Sequence, residues 1–464
     1  MLPSFLEVVM GFTKHFCVVV LPILLAVAIP FVAVNTFRNY SCDIDIFATW
    51  ADCVWNGRAV NGVCERFRIN YPSVGIFFSA GVMQLLSWVG FEGPFQVRAQ
   101  PFRLVAAAVD SINILLFVTM LRALRVRFAE LWTLLFAVLP SSRVGGAMFG
   151  QIDGVSQLFL SLGFLSAHQA WSVLDMKERL GRVHVWLLVL STSILCAVST
   201  KQLVVFTVPV LGILFLHLCH KTVRAGCRIW PLALGVSIVV LALCISDRLF
   251  PVPNGFGGSV MFYSLLAGSG HGGEISNNGF NIFTLLSLPP SAKSDQWYPF
   301  FNLFGVRVSG LPMYIGPILF TVANLAAIFS LRCLLKSLAR VDATTGTVAA
   351  LAMAAFLNLS MNVFLTGTHE RYLYHYGFFM VPCLLWLRSK RKVSLSVLAI
   401  TLAHLTIYGL YVFSVIGRLP PIVGIVSSQR VLTMATLIIC IAALVGLIKA
   451  ALYCRIRGPS HVRG

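Results

Sequence analysis

The feature that most constrains this chain is the recurrence, along its whole length, of apolar stretches about as long as a bilayer core is thick. They run from "FCVVVLPILLAVAIPFVAV" (16–34) to "VLTMATLIICIAALVGLI" (431–448), with no long polar region between. About 20 consecutive apolar residues are what a membrane-crossing helix needs. The composition leaves no soluble alternative, at 58% hydrophobic and 11% charged residues. The expected fold is an all-α polytopic membrane protein, built as a single membrane domain over 1–464. The first run is too long for a signal-peptide core and has no small-residue cleavage site, so it reads as a retained anchor with a cytoplasmic N-terminus.

A net charge of +19 raises the question of nucleic acid, but the basic residues come in short clusters between apolar runs and form no amphipathic face. The positive-inside rule accounts for them, and no nucleic-acid partner is expected. The clusters are Arg122/Arg125/Arg127, Lys177/Arg179/Arg182, Lys221/Arg224/Arg228, Arg332/Lys336/Arg340, Arg388/Lys390/Arg391/Lys392 and Arg455/Arg457. If all are cytoplasmic, neighbouring clusters are separated by two crossings. This predicts spans near 128–143, 152–171, 183–199, 203–219, 229–246, 307–331, 346–365, 373–387, 393–414 and 430–452. The segment 71–91 breaks the parity. Either it is a juxtamembrane or re-entrant helix on the outer side, with the second span at 103–121, or the cluster at 122–127 is inverted. The first reading gives about twelve spans with both termini cytoplasmic.

Under this topology the unusual polar stretches collect on the outer side: "SCDIDIFATWADCVWNGRAV", "GQIDG", "STKQ", "SNNGFNIF" and "THERY". Charged groups at a membrane boundary away from the cytoplasm mark a functional site by default. Asp43 and Asp45 form a D-x-D, whose two carboxylates share a face in an extended segment and suit a divalent cation; either acid also suits a general base. Asp52 reads as a solvated loop acid, and Asp110, inside the apolar stretch "LVAAAVDSINILLFV", as a structural or supporting acid in need of a partner. Lys201, at a helix boundary before Gln202, either meets a phosphate or snorkels to the interface. In "THERYLYHY", Arg371 suits a bidentate phosphate contact beside His369 and Glu370. His375 stands six residues after His369 where the H-E-x-x-H zinc motif needs four, so no metal site is read there. Cys42, Cys53 and Cys64 share the first polar loop, where a Cys53–Cys64 bridge and three free thiols are both open.

With the loops placed, the ordered motifs resemble those of the GT-C superfamily of integral-membrane glycosyltransferases. The nearest branch is that of mannosyltransferases related to the second mannosyltransferase of GPI-anchor synthesis, with weaker similarity to the endoplasmic-reticulum glucosyltransferases that extend the N-glycan precursor. Asp43, Trp50 and "YPS" (71–73) resemble the family's "D…W…YPP", and "FGQIDG" (149–154) its "WGQxD". "STKQLVVFTVP" (199–209) is similar to the "KQ…P" segment, "NNGFNIF" (277–283) to "AFNLW", and "THERYLYH" (368–375) to "HERYLFP". Phe149, Ser73 and His375 depart from the pattern, the last in the motif that would hold the donor phosphate.

The resemblance implies a catalytic module over about 16–376, C-terminal helices over about 377–452 and a cytoplasmic tail at 453–464, with juxtamembrane helices in a large first outer loop. It implies transfer of a hexose, mannose or glucose, from a polyprenyl-phosphate donor to a lipid-linked or protein acceptor. The membrane would be the endoplasmic reticulum or a bacterial plasma membrane, with the site lumenal or periplasmic. Asp43 becomes the base with Asp45 its competitor, and Trp50, Gln151, Asp153, Lys201, Gln202, His369, Glu370 and Arg371 become substrate-binding residues. No cofactor is required, because the leaving group is already a phosphate, though a divalent cation on the D-x-D stays open. The rival readings are a lipid or solute transporter, which would favour internal repeats and midplane polar groups, and a non-catalytic subunit of a glycosyltransferase complex.

Overall fold

A computed structural model describes residues 16–36, 44, 46–47, 72–91, 95–142, 146–147, 150–176, 180–248, 276–277, 281–286, 293–303, 306–337, 342–365, 368–369, 373–417 and 429–456. Among these the chain forms fourteen α-helices. They are α1 (Leu21–Thr36), α2 (Ser73–Trp88), α3 (Phe95–Ala123), α4 (Ala129–Val138), α5 (Asp153–Met176), α6 (Gly181–Thr200), α7 (Val208–Arg224) and α8 (Trp230–Arg248), then the short α9 (Ile282–Leu285). After these come α10 (Pro312–Ser337), α11 (Ala343–Phe364), α12 (Tyr374–Ser389), α13 (Leu395–Gly417) and α14 (Gln429–Ile456). Eight of them, α1, α3, α6, α8, α10, α11, α13 and α14, contain stretches long and apolar enough to cross a membrane, which makes this a multi-pass integral membrane protein.

Four of the remaining helices, α4, α5, α7 and α12, fall where charge parity asks for crossings but are shorter or more polar. At 1.5 Å per residue the 16 residues of α12 span about 24 Å and the 10 of α4 about 15 Å. The span expected at 128–143 is cut short because Leu139, which precedes Pro140, is extended (ψ 131°) and hands over to a 3-10 turn at Pro140–Ser142. The helix expected from 307 begins at Pro312 instead. Residues Val306–Gly310 ("VRVSG") form strand β3, antiparallel to β2 (Tyr298–Leu303), as the alternation of Val306 and Val308 with polar residues favours. A second pairing, β1 (Ser276–Asn277) parallel to β4 (Thr368–His369), adds to these exceptions to an all-helical chain. Residues 53 and 64 lie outside the described residues.

Helix α11 is the centre of the bundle. Some 83% of its membrane-length window is buried, against 6% for α8 at the periphery, whose Trp230, Leu234, Ile238, Leu241 and Ile245 face outward as lipid-facing residues should. The core between α3, α4, α5 and α12 is aromatic: Phe117 stacks on Phe136 at 4.3 Å, Phe136 meets Phe378 edge-on at 5.0 Å, and Phe164 meets Phe379 at 5.2 Å. The last three helices are joined by a satisfied polar chain. The Thr436 hydroxyl donates to the Leu432 carbonyl and accepts from His404 Nε2 (2.9 Å), so His404 Nδ1 accepts from the Tyr376 hydroxyl (3.1 Å).

Helix α2 stays at one end of this bundle. Its Ile76, Ala80, Met83 and Leu86 share a core with Ile44, Phe47, Ala99, Phe102, Ile152 and Val155, that is, with the first loop and the beginnings of α3 and α5. Through this core Ile44 and Phe47 lie against the start of α5.

Candidate functional site

The segment from 146 to 154 connects α4 to α5. Gly150 sits in the left-handed region at φ +68°, and a Cβ there would lie 2.4 Å from Ile44 Cδ1, so glycine is required both by conformation and by contact. The residue pressed against it is Ile44, which stands between Asp43 and Asp45 in the sequence. Gln151, next in the chain, is buried, and Asp153 opens α5, where the helix dipole favours a carboxylate.

Asp153 and Lys201 form a buried ion pair. Lys201 Nζ donates to Asp153 Oδ1 at 2.6 Å, with each side chain 3% exposed. Asp153 Oδ2, equally buried, has no hydrogen-bond partner among the described residues. Lys201 is placed by a break in the chain: α6 ends at Thr200, Lys201 is extended (φ −152°, ψ 130°), and a 3-10 turn follows at Gln202–Phe206 before α7. Gln202 lies in that turn. Helix α2 presses on the break, for a Cβ on Gly75 would fall 2.2 Å from the Thr200 carbonyl oxygen. The break is also tied to α11, where Asn358 Nδ2 donates to Thr207 Oγ1 at 2.8 Å. Lys201 is buried and so does not snorkel to the interface; its ammonium pairs with the acid of the "GQID" motif.

The motif segments near 277 and 368 are also brought together. Ser276 and Asn277 pair with Thr368 and His369, and Asn281 Nδ2 reaches the Leu365 carbonyl at 3.4 Å. Asn281 also caps α9, its Oδ1 accepting from the Thr284 amide. Beyond the pairing, Tyr374 and His375 open α12 and plug into two different elements. The Tyr374 hydroxyl donates to Asp110 Oδ1 at 3.0 Å. His375 Nδ1 lies 2.9 Å from Gln157 Oε1, and since Gln157 Nε2 is engaged with Ser161 Oγ, Nδ1 carries the proton. His375 Nε2 then faces Ser156 Oγ at 3.4 Å. Four of the five motif segments therefore contribute to two contacts at one end of the bundle: Asp153 with Lys201, and residues 276–277 with 368–369.

The opposite end carries a second polar set. Lys221 Nζ meets Asp175 Oδ1 at 2.9 Å, and Asp175 Oδ2 accepts the Ala343 amide that opens α11. Lys201 and Lys221 thus pair with the first and the penultimate residue of α5, roughly 33 Å apart at helical rise. The two sets are separated by about a bilayer's thickness.

Asp43, Asp45, Trp50, Glu370 and Arg371 lie outside the described residues, and of His369 only the backbone is described. Among the described residues no three His, Cys, Asp or Glu side chains come together as a cation site would require. The residues that sequence reasoning did not assign to the site are Tyr374, Gln157 and Ser156, together with Arg103 and Asn113. Arg103 Nε donates to the Ala147 carbonyl (3.2 Å) and Asn113 Nδ2 to that of Gly154 (2.8 Å). A signal for them existed in the spacing of Arg103, Asp110 and Asn113, which puts three polar groups on one face of an apolar helix. No protein-family model and no curated protein matches the chain.

Proposed function

We propose that the chain is a GT-C-type inverting hexosyltransferase that uses a polyprenyl-phosphate sugar, mannose or glucose, and delivers it to a lipid-linked or protein acceptor on the lumenal or periplasmic side. The observation that carries this reading is the buried Asp153–Lys201 pair, which joins the "GQID" and "STKQ" segments beside the first loop. A buried pair contributes little net stability, because desolvation of two ions offsets their attraction. Ionisable groups in such a place are retained for function more readily than for folding.

In this mechanism the acceptor hydroxyl oxygen bonds to the anomeric carbon, the bond from that carbon to the donor phosphate breaks, and Asp43 takes the hydroxyl proton. A general base of this kind contributes about 10²–10⁴-fold. Asp45 is the competing base. At rest Lys201 Nζ donates to Asp153 Oδ1 at 2.6 Å. In the transfer step Lys201, with Arg371 and His369, would stabilise the charge that develops as the phosphate leaves. Twelve crossings, in which α4, α5, α7 and α12 join the eight long apolar helices, accompany this reading, with both termini cytoplasmic.

The test compares Asp43→Asn with Asp45→Asn in membranes supplied with polyprenyl-phosphate mannose and glucose. Loss of transfer confined to Asp43→Asn supports the assignment. Full transfer by Asp43→Asn with loss in Asp45→Asn moves the base, and full transfer by both removes the D-x-D from the mechanism.

A further inference from the structure

Asp110 is a carboxylate 1% exposed inside a membrane-length helix. Its Oδ2 accepts the Ala147 amide at 2.7 Å and its Oδ1 the Tyr374 hydroxyl at 3.0 Å. Two glycines make room for it. A Cβ on Gly146 would lie 2.5 Å from both carboxylate oxygens, and one on Gly154 would lie 2.8 Å from Oδ1. Arg103 and Asn113 on the same face of α3 bond the carbonyls of Ala147 and Gly154, so one helix face grips the backbone at both ends of the connection that carries Gln151 and Asp153. Tyr374 belongs to the other motif segment, three residues beyond Arg371. The carboxylate is therefore a joint between two motif segments that are more than 200 residues apart in the chain.

We propose that Asp110 is a positioning residue that couples the "GQID" connection to the start of α12, so that the Asp153–Lys201 pair and Tyr374 are held in one mutual geometry. This rests on the functional reading above and deepens it. Asparagine cannot fill the place. Its single acceptor oxygen serves either the Ala147 amide or the Tyr374 hydroxyl, and its NH2 group would face the other donor. Misplacement of binding groups by an ångström costs up to about 10²-fold in rate while the contacts that bind substrate are retained. The signature of coupling is thus a fall in kcat with the donor KM little changed.

The experiment uses the full chain in detergent, as wild type, Asp110→Asn, Tyr374→Phe and the double variant. Tyr374→Phe keeps the ring and its packing, so it tests the hydroxyl in a folded chain. Each single variant is expected to lower kcat about ten- to hundredfold with donor KM within about twofold, and the double variant to be no worse than the worse single one. Hydrogen exchange of the peptide covering 146–157 is expected to speed up in Tyr374→Phe, although that residue is remote in sequence. Unchanged exchange there, or single-variant losses that multiply in the double, overturns the coupling. A wild-type chain that transfers neither sugar defeats the functional reading instead, and the exchange comparison still decides whether Asp110 joins the two segments.

Discussion

Removing the Lys201 ammonium while keeping its bulk, as in Lys201→Met, leaves Asp153 buried and alone. At 2.6 Å and an effective dielectric constant of about 20 the pair's attraction is about 6 kcal/mol. Desolvation of the two ions, several kcal/mol each, consumes most of it. Deleting one partner removes the attraction but leaves the other ion's desolvation in place, at a cost of about 3–5 kcal/mol. Deleting both, in Asp153→Asn/Lys201→Met, restores most of the stability because no charge remains to be buried. If Lys201 also serves the leaving phosphate, transfer stays low in the double variant, by about 10²–10³-fold. Thermal unfolding in detergent and initial transfer rates, measured on the same preparations, separate the two effects. A double variant that regains both stability and transfer would refute the reasoning, since the pair would then be a structural element only.

Three further outcomes follow from other contacts. Gly150→Ala meets both a left-handed backbone and Ile44, so it should cost about 1–2 kcal/mol from conformation alone and lower transfer; a wild-type melting temperature and rate would show that the connection relaxes freely. Gly75→Ala drives a methyl into the Thr200 carbonyl beside Lys201, and reduced transfer with a fold that still elutes as one species is expected. His404→Ala strands the Tyr376 hydroxyl, costing about 1–3 kcal/mol, while Thr436 keeps its bond to the Leu432 carbonyl; the transfer rate at a temperature where the variant is folded should match wild type, because this polar chain joins α12–α14 at no contact with the site pair.

The helical membrane class was legible from run length, and the charge clusters located the helices to within a few residues. Charge parity singled out 71–91 as the segment out of step, and the structure makes it a 16-residue helix packed against Ile152 and Val155. Several boundaries were misread for local reasons: Pro140 ends α4 early, the alternation at Val306 and Val308 builds a strand where apolar content alone suggested helix, and a 3-10 turn after Lys201 delays α7 to Val208, while α3 starts at Phe95, eight residues before the span expected from 103. In the site, the residue types at 151, 153 and 201 were visible, yet the choice for Lys201 lay between phosphate and interface. Its ion pair with Asp153 crosses 48 residues and depends on how α5 and α6 pack, which no local pattern encodes. Asp110 was recognisable as an acid needing a partner, but its partners include a backbone amide 37 residues away and a tyrosine 264 residues away. Helical pitch argued against reading His375 into a zinc motif but named no partner for it, and the structure sets its Nδ1 2.9 Å from Gln157 Oε1, 218 residues away.

Sugar transfer from a polyprenyl phosphate is tested most directly by turnover of the purified protein alone. The purified chain is given labelled polyprenyl-phosphate mannose and, separately, glucose, together with acceptor lipid and protein extracted from a strain lacking it. Label from one of the two sugars is expected to move to acceptor, and an Asp43→Asn preparation of equal thermal stability is expected not to move it. Folded chain that transfers neither sugar would contradict the claim.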